Sequence, residues 1–581
     1  MGDKLNIYIA ADNIISSLGF TTQRTFDAIA AYHSGVKPDN SGTIADAPIQ
    51  AAKICPEFLS QQVGKHKLSA YTKAEQLIIL SVNELVLQHK VDFKSPDTAL
   101  ILSTTKGNVG VLQNATAGIS KSAFLWSVAD KISAYYGLEN RVLVVSNACI
   151  SGISALIVAK RLLQAGIYKN IVVVGVDVLS HFITSGFVSF KSVSPNICRP
   201  YDEQRNGLNL GEACGSMLLT TAYTPSAATL CGGAITNDAN HISGPSRTGD
   251  GLHHAIQGAL NDALLTNNDI GYVNLHGTAT VYNDEMESKA IGWSQLQHAQ
   301  INSLKPYIGH TLGASGIVEA ILSIQQLKSG IIFGTLGYED NGVSQPLNIS
   351  GAHRKTTATA CIKTGSGFGG CNAAIVLSIQ DKKQKEFSMH TADIRSVKCC
   401  KVENNAITID GKFVLKSDAT SFAAFIREAY KELNESNMKF YKMDNLSKLG
   451  YIAAAYLLKN EEGINPTKAG IILSNSASSL ATDKKHQQLI DEGGDVAASP
   501  AVFVYTLPNV TAGEICIHHN IKGENTFFIE KNYSRDKLRK YVQLAMQDSG
   551  MSLCVCGWCD FLDGEYNAEF DLLVNSTYER E

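Results

Sequence analysis

Apolar and polar positions follow two alternating periods along the first two thirds of the chain. The runs Ala99–Ser103, Val142–Ser146, Ile171–Gly175 and Ala374–Ile379 are unbroken apolar stretches of strand length, the pattern of strands covered on both faces. Between them, apolar residues recur at helical spacing, as in Ile153, Leu156, Ile157 and Lys160. Strands alternating with helices up to about residue 380 predict a layered α/β fold. The segment Gln380–His390, QDKKQKEFSMH, is polar and charged and reads as a linker, after which a second α/β pattern begins near Val397.

The 581 residues exceed one ordinary domain and suggest either about three or four, or one duplicated fold with an added module. Hydrophobic residues at 44% against 18% charged are enough to bury a sizeable core. A net charge of −4 gives no general attraction to nucleic acid, so an acidic partner must meet a local basic patch. The opening MGDKLNIYIA lacks a basic, then apolar, leader; Asn6 breaks the myristoylation pattern; and no run reaches membrane-spanning length. Thirteen cysteines without framework spacing predict reduced thiols and a cytoplasmic location.

One cysteine stands where the pattern changes. In VVSNACISGISALIVAKRLL, Cys149 follows a buried strand and precedes an amphipathic helix, which predicts a position in the first helical turn and a thiol pKa lowered by the helix dipole. The alternative is a small buried hydrophobe, as many free cysteines are. Two histidines occupy comparable strand-to-turn positions: His276 in NLHGTAT and His310 in KPYIGHTLGASGIVEA. A thiolate can take an acyl group, and two imidazole N–H groups can stabilise an oxyanion or enolate at a thioester carbonyl. Lys305 near His310 would discourage an imidazolium. The CVCGWC of Cys554 to Cys559 lacks a second pair of donors at supporting spacing, so no metal is expected.

Five blocks carry a resemblance. NACISG around Cys149, RPYDEQRNGLNLGEACGSMLL from Arg199, HGTATVYNDEME from His276, KPYIGHTLGASGIVEA from Lys305 and KTGSGFGGCNAAIV from Lys363 occur in the order and intervals of elongating β-ketoacyl-acyl-carrier-protein synthases. The chain from about residue 4 to 379 resembles that family. The resemblance implies a thiolase-like α-β-α-β-α fold of two similar halves and a decarboxylative condensation of an acyl-Cys149 thioester with malonyl-acyl carrier protein. It implies catalytic roles for Cys149, His276, His310 and Lys305. Phe368 would be the gate and, with the Cys149 N–H, the oxyanion donor; Glu319 would support Lys305, and Thr278 and Thr280 would bind pantetheine. No cofactor is implied beyond the phosphopantetheine that the carrier protein brings. Lys65, Lys67 and Lys73 fall where the family docks its carrier, although a solvated helix face reads equally well. Between Thr105 and Ala123 the chain is short for the family, so chain-length preference does not carry over.

Beyond the linker, the segment from Ala498 to Glu530 parallels Ser120 to Val145, and the parallel continues past the nucleophile into the following helix and strand. The predicted division is 1–379, a linker at 380–396, and 397–581 as a module resembling one half of the fold. That module resembles the truncated ketoacyl-synthase N-terminal-like family. Lys531 or Asn532 takes the place of Cys149, depending on a one-residue alignment choice, which predicts a silent module. A homodimer, or a heterodimer with another ketosynthase-like chain, is expected, as is an acyl carrier protein partner; nucleic acid and membrane insertion are not. A non-elongating chain-length or scaffold partner is the alternative function.

Overall fold

The computed structural model describes residues 6–113, 119–380 and 393–575. One continuous sheet runs through three segments. In the first, Leu143–Val145 and Asn170–Asp177 flank Thr98–Ser103 in parallel. Asn170–Asp177 then pairs antiparallel with Ala213–Thr220, which pairs with Tyr8–Ile15. Tyr8 and Ile9 also meet Ala228–Asn237, the first strand of the second segment. That segment continues through Cys371–Ser378, Ala360–Gly367, Tyr272–Asn274 and Gln300–Asn302. These strands are almost wholly buried, as their unbroken apolar character predicts of strands covered on both faces.

Local signals fix the helices that cover the sheet. Thr72 caps the helix Lys73–Gln88: its hydroxyl accepts from Glu75 N–H, while the Glu75 carboxylate accepts from Thr72 N–H at 2.9 Å. Ser315–Ser329 ends at Gly330, whose φ of 68° suits a residue without Cβ. Ser151–Gln164 is buried along its entire length, so the helix after the cysteine is the centre of the molecule and not an amphipathic surface helix.

The C-terminal module repeats the first segment. Ala469–Asn475 lies parallel between Asn525–Ile529 and Leu553–Leu562, Glu565–Asn575 returns antiparallel, and Ile394–Glu403 completes the set. The strand at Ile394 starts within the stretch read as linker, because its first residues are exposed or half-buried and look polar until the partner strand is known. The rest of that stretch, 381–392, lies outside the described residues. The two copies meet edge to edge: Asn525–Ile529 pairs antiparallel with Leu143–Val145, Phe528 opposite Val145. This closes the edge of the first-segment sheet within one chain. Across the same face, Arg161, fully buried, reaches Glu524 at 2.6 Å and Asp548 at 2.7 Å, and Lys160 reaches Asp548 at 3.5 Å.

Ladder registers also settle which module residue stands in for the thiol. Ser103 of ALILS faces Val145, and Ser474 of the equivalent GIILS faces Phe528. Cys149, four residues past Val145, therefore corresponds to Asn532. Lys531 lies instead over the Trp126 ring at 5.2 Å.

Candidate active site

Two strand ends and a short helix bring the predicted chemistry together. Cys149 follows Leu143–Val145 through Ala148, which is held at φ 47°, a tight turn that presents the thiol at the sheet edge. The helix begins at Ser151, so Cys149 lies just ahead of the first turn and not within it. His276 follows Tyr272–Asn274, and His310 follows the short helix Lys305–Ile308. Gly309 has φ 70°, and a Cβ there would lie 2.7 Å from the Leu210 carbonyl carbon, so only glycine delivers His310 to this position.

The thiol and one nitrogen of each imidazole lie within 4.8 Å of one another. His310 Nε2 is 3.1 Å from Cys149 Sγ, and the two imidazole rings stand edge to face with centroids 5.0 Å apart. Leu312 N–H points at His310 Nδ1 from 3.4 Å, which leaves the Nε2 proton facing the sulfur. Behind His276 the Glu287 carboxylate accepts from His276 N–H at 2.7 Å, Gly277 N–H at 2.8 Å and the Tyr201 hydroxyl at 2.8 Å. Glu287 fixes the HGT turn, a role the sequence did not single out although it lies within the HGTATVYNDEME block.

Lys305 and Glu319 form a fully buried pair at 2.8 Å, with Lys363 as a third member at 2.5 Å from the other carboxylate oxygen. One carboxylate thus serves two ammonium groups. Burial pushes both imidazoles well below their ordinary pKa, and the Lys305 and Lys363 charges push further the same way. Both rings are neutral at physiological pH, as the position of Lys305 led us to expect. Cys149 departs from expectation: burial pushes its thiol up to about 12, against the lowering effect of Lys305. Desolvation at the bottom of a narrow site outweighs a helix terminus the thiol does not quite reach. Cys149, His276 and His310 could supply three ligand atoms in number.

A cavity of about 350 Å³ opens over these residues and is also lined by Thr278, Thr280 and Phe368. The Thr278 and Thr280 hydroxyls are 2.8 Å apart at its wall. A Cβ at Gly367 would stand 3.1 Å from Cys149 N, so the GSGFGG loop backs directly onto the nucleophile. Phe368 packs on Phe190 and Phe187, ring centroids 5.4 and 6.2 Å away. The C-terminal module reaches this loop: Asn509 Nδ2 donates to the Phe368 carbonyl at 2.8 Å, and Phe503 packs on Phe187 at 5.4 Å. No sequence signal in the module marks these contacts. Of the three lysines placed on the docking side, Lys65 and Lys67 are exposed, but Lys73 is taken by Glu212 at 2.6 Å. Cys554, Cys556 and Cys559 are buried on the strand Leu553–Leu562.

The sheet and the helices that cover it share the fold of solved ketosynthases. Residues 92–224 match the β-ketoacyl synthase N-terminal domain family and residues 227–339 the C-terminal domain family. The 3-oxoacyl-acyl-carrier-protein synthase 2 of Vibrio harveyi is 32% identical over 43% of this chain and 64% of its own. A Staphylococcus aureus protein of the same name is 31% identical over 39% of this chain and 61% of its own. The chain thus spans less than two thirds of these relatives. Among solved structures, "PfaC Keto synthase-Chain length factor" aligns with 100% of this chain and 79% of its own, with a TM-score of 0.78 and 14% identity. "The ishigamide ketosynthase/chain length factor" covers 65% of this chain and 100% of its own, with a TM-score of 0.60 and 22% identity. Among the described residues, no helix is long and apolar enough to cross a membrane.

Proposed function

We propose that the chain is a condensing enzyme that joins an acyl group carried on Cys149 to malonyl-acyl carrier protein, giving a 3-oxoacyl-acyl carrier protein. The observation that carries this reading is the thiol with two neutral imidazoles within 4.8 Å at the floor of one cavity. In the first step the Cys149 sulfur attacks the acyl thioester, and the pantetheine thiol leaves with the proton. The thiol's high pKa means that deprotonation accompanies thioester arrival, with His310 beside it. Malonyl thioester then loses CO2, and the His276 and His310 N–H groups hold the enolate oxygen. The enolate carbon attacks the acyl carbonyl, whose oxygen is held by the Cys149 and Phe368 N–H groups, and the Cys149 sulfur departs. Thr278 and Thr280 line the pantetheine path. The acyl carrier protein is the partner; phosphopantetheine arrives on it, and no resident cofactor takes part.

The C-terminal module, 397–581 with its first strand from Ile394, serves as a built-in partner half. It occupies the strand edge at Leu143–Val145, where a second ketosynthase-like chain would otherwise pair, and its Asn532 supplies no nucleophile. A homodimer through that edge is therefore replaced by an intramolecular pair, and the enzyme works in the cytoplasm as such. The test is intact-protein mass spectrometry after incubation with acyl- and malonyl-carrier proteins. A mass increment on Cys149, its loss in Cys149→Ala and a 3-oxoacyl product are expected; loading of Cys149→Ala at the normal rate would refute the assignment.

A further inference from the structure

Condensation as proposed leaves one buried carboxylate beside the site unused. Asp177 ends the strand Asn170–Asp177 and is 1% exposed. Its Oδ1 accepts from Thr104 Oγ1 at 2.7 Å and Lys106 N–H at 3.3 Å, and its Oδ2 from Thr105 N–H at 3.0 Å and Thr105 Oγ1 at 2.9 Å. A further donor arrives from 136 positions along the chain: Gly313 N–H, 2.7 Å from Oδ2. A Cβ at Gly313 would stand 2.8 Å from that oxygen and 3.0 Å from Thr105 N, so the approach needs glycine. The bond pins a strained turn. Leu312, one residue earlier, is held at φ 52°, a conformation that branched apolar side chains seldom adopt. In that conformation its N–H points at His310 Nδ1 from 3.4 Å, and Ser315 Oγ lies 3.1 Å from the same nitrogen.

The silent copy separates the two parts of this arrangement. Ser103 stands opposite Gly175 and Ser474 opposite Trp558, so Asp177 and Asp560, two residues further on, are equivalent. Asp560 accepts from Ser476 N–H at 3.3 Å and Ala477 N–H at 2.9 Å, the counterparts of Thr105 and Lys106. Both copies thus use this aspartate to hold the loop after the central strand. Asp177 adds to that hold a donor from the turn that follows a site histidine.

We propose that Asp177 is a positioning residue for the condensation: through Gly313 it holds the turn 311–313 that keeps the His310 Nε2–H aimed at the reacting thioester. The inference rests on the condensing-enzyme reading and adds the group that orders one of its two enolate donors. Asp177 suits the task because an ionised carboxylate accepts at both oxygens, and here one oxygen serves both loops while the other strengthens the hold on the first. An oxyanion donor works by being fixed before charge develops, so slack in this turn is paid in the step that uses His310 and not in the loading of Cys149.

The test uses the full chain, with butyryl-pantetheine for loading of Cys149 and malonyl-pantetheine for CO2 release. Asp177→Ala should lower kcat for CO2 release about ten- to a hundredfold, with KM and the loading rate changed less than about threefold. Asp177→Asn, whose one oxygen can still take Gly313 N–H while its amide faces Thr104 Oγ1, should recover most of that loss. Gly313→Ala parts the same contact from the other side, leaves Asp177 its first loop, and should reproduce the alanine result. It also decides the matter where melting curves show that Asp177→Ala does not fold. Asp560→Ala, which removes only the shared part of the arrangement, should leave kcat unchanged. Wild-type CO2 release in Gly313→Ala or in a folded Asp177→Ala would overturn the proposal. So would an equal fall in loading and CO2 release, or the same loss of kcat in Asp560→Ala. A wild type that neither loads butyryl nor releases CO2 would refute the condensing-enzyme reading itself, and this inference with it.

Discussion

Removing one amide in the C-terminal module should slow chemistry at Cys149. Asn509 Nδ2 donates to the Phe368 carbonyl at 2.8 Å across 141 positions of sequence. The surrounding fit is tight: a Cβ at Gly369 would lie 2.7 Å from that nitrogen, and a Cβ at Gly513 would lie 2.6 Å from the Gly369 carbonyl oxygen. The module helix Asn509–His519 therefore clamps the loop whose Phe368 N–H we propose as a donor to the acyl oxygen. Asn509→Ala deletes one hydrogen bond, worth about 1 kcal/mol net, and weakens the solvation of a part-buried carbonyl by about as much again. Melting should therefore change modestly. Freeing the loop misaligns one oxyanion donor, and complete loss of such a donor costs about a hundred- to thousandfold. Partial loss predicts a fall in kcat of roughly ten- to a hundredfold with the thioester KM little changed. Asn509→Asp, which sets a carboxylate against a carbonyl, should be worse than alanine. Single-turnover loading and steady-state condensation, run beside thermal melts, measure this. Turnover at the wild-type rate in Asn509→Ala, or a loss no larger than the unfolded fraction, would show that the module does not position the loop.

Other outcomes follow from the buried charges. Both imidazoles are held well below 6.5, so the neutral N–H donors persist as pH falls, and the acid limb of CO2 release should lie below the ordinary histidine value; a limb at or above 6.5 would contradict it. The linked stability effect has the opposite sense. Below about pH 6.5 the unfolded chain binds protons on His276 and His310 that the folded chain refuses, so the unfolding free energy should fall as pH is lowered through that value. Glu319→Ala leaves Lys305 and Lys363 buried without their shared carboxylate and should cost about 3–5 kcal/mol by chemical denaturation, far beyond a surface pair. Truncation after Gln380 strips Leu143–Val145 of its partner strand and Arg161 of Glu524 and Asp548, and should yield aggregation or a new oligomer by light scattering; a monodisperse, fully active fragment would deny the module its structural part.

The sequence by itself determined the alternation of strand and helix, the junction that holds Cys149 and the turns that hold His276 and His310, because these are local patterns of burial and backbone freedom. The internal repeat was legible for the same reason, in the parallel of Ala498 to Glu530 with Ser120 to Val145. The protonation state of the site was not. A helix terminus is visible in sequence, whereas the desolvation that raises the Cys149 thiol depends on everything packed around it. That Glu319 would support Lys305 followed from the resemblance, but the complete burial of the pair and its third member Lys363 came only with the fold. Above all, Asn509, Phe503 and Asp483 stand more than a hundred residues beyond the site, in a copy without a nucleophile, and nothing local marks them. Only the antiparallel meeting of Leu143–Val145 with Asn525–Ile529 carries them to Phe368, Phe187 and Lys106, because an open strand edge must find hydrogen-bonding partners and here finds them in the same chain.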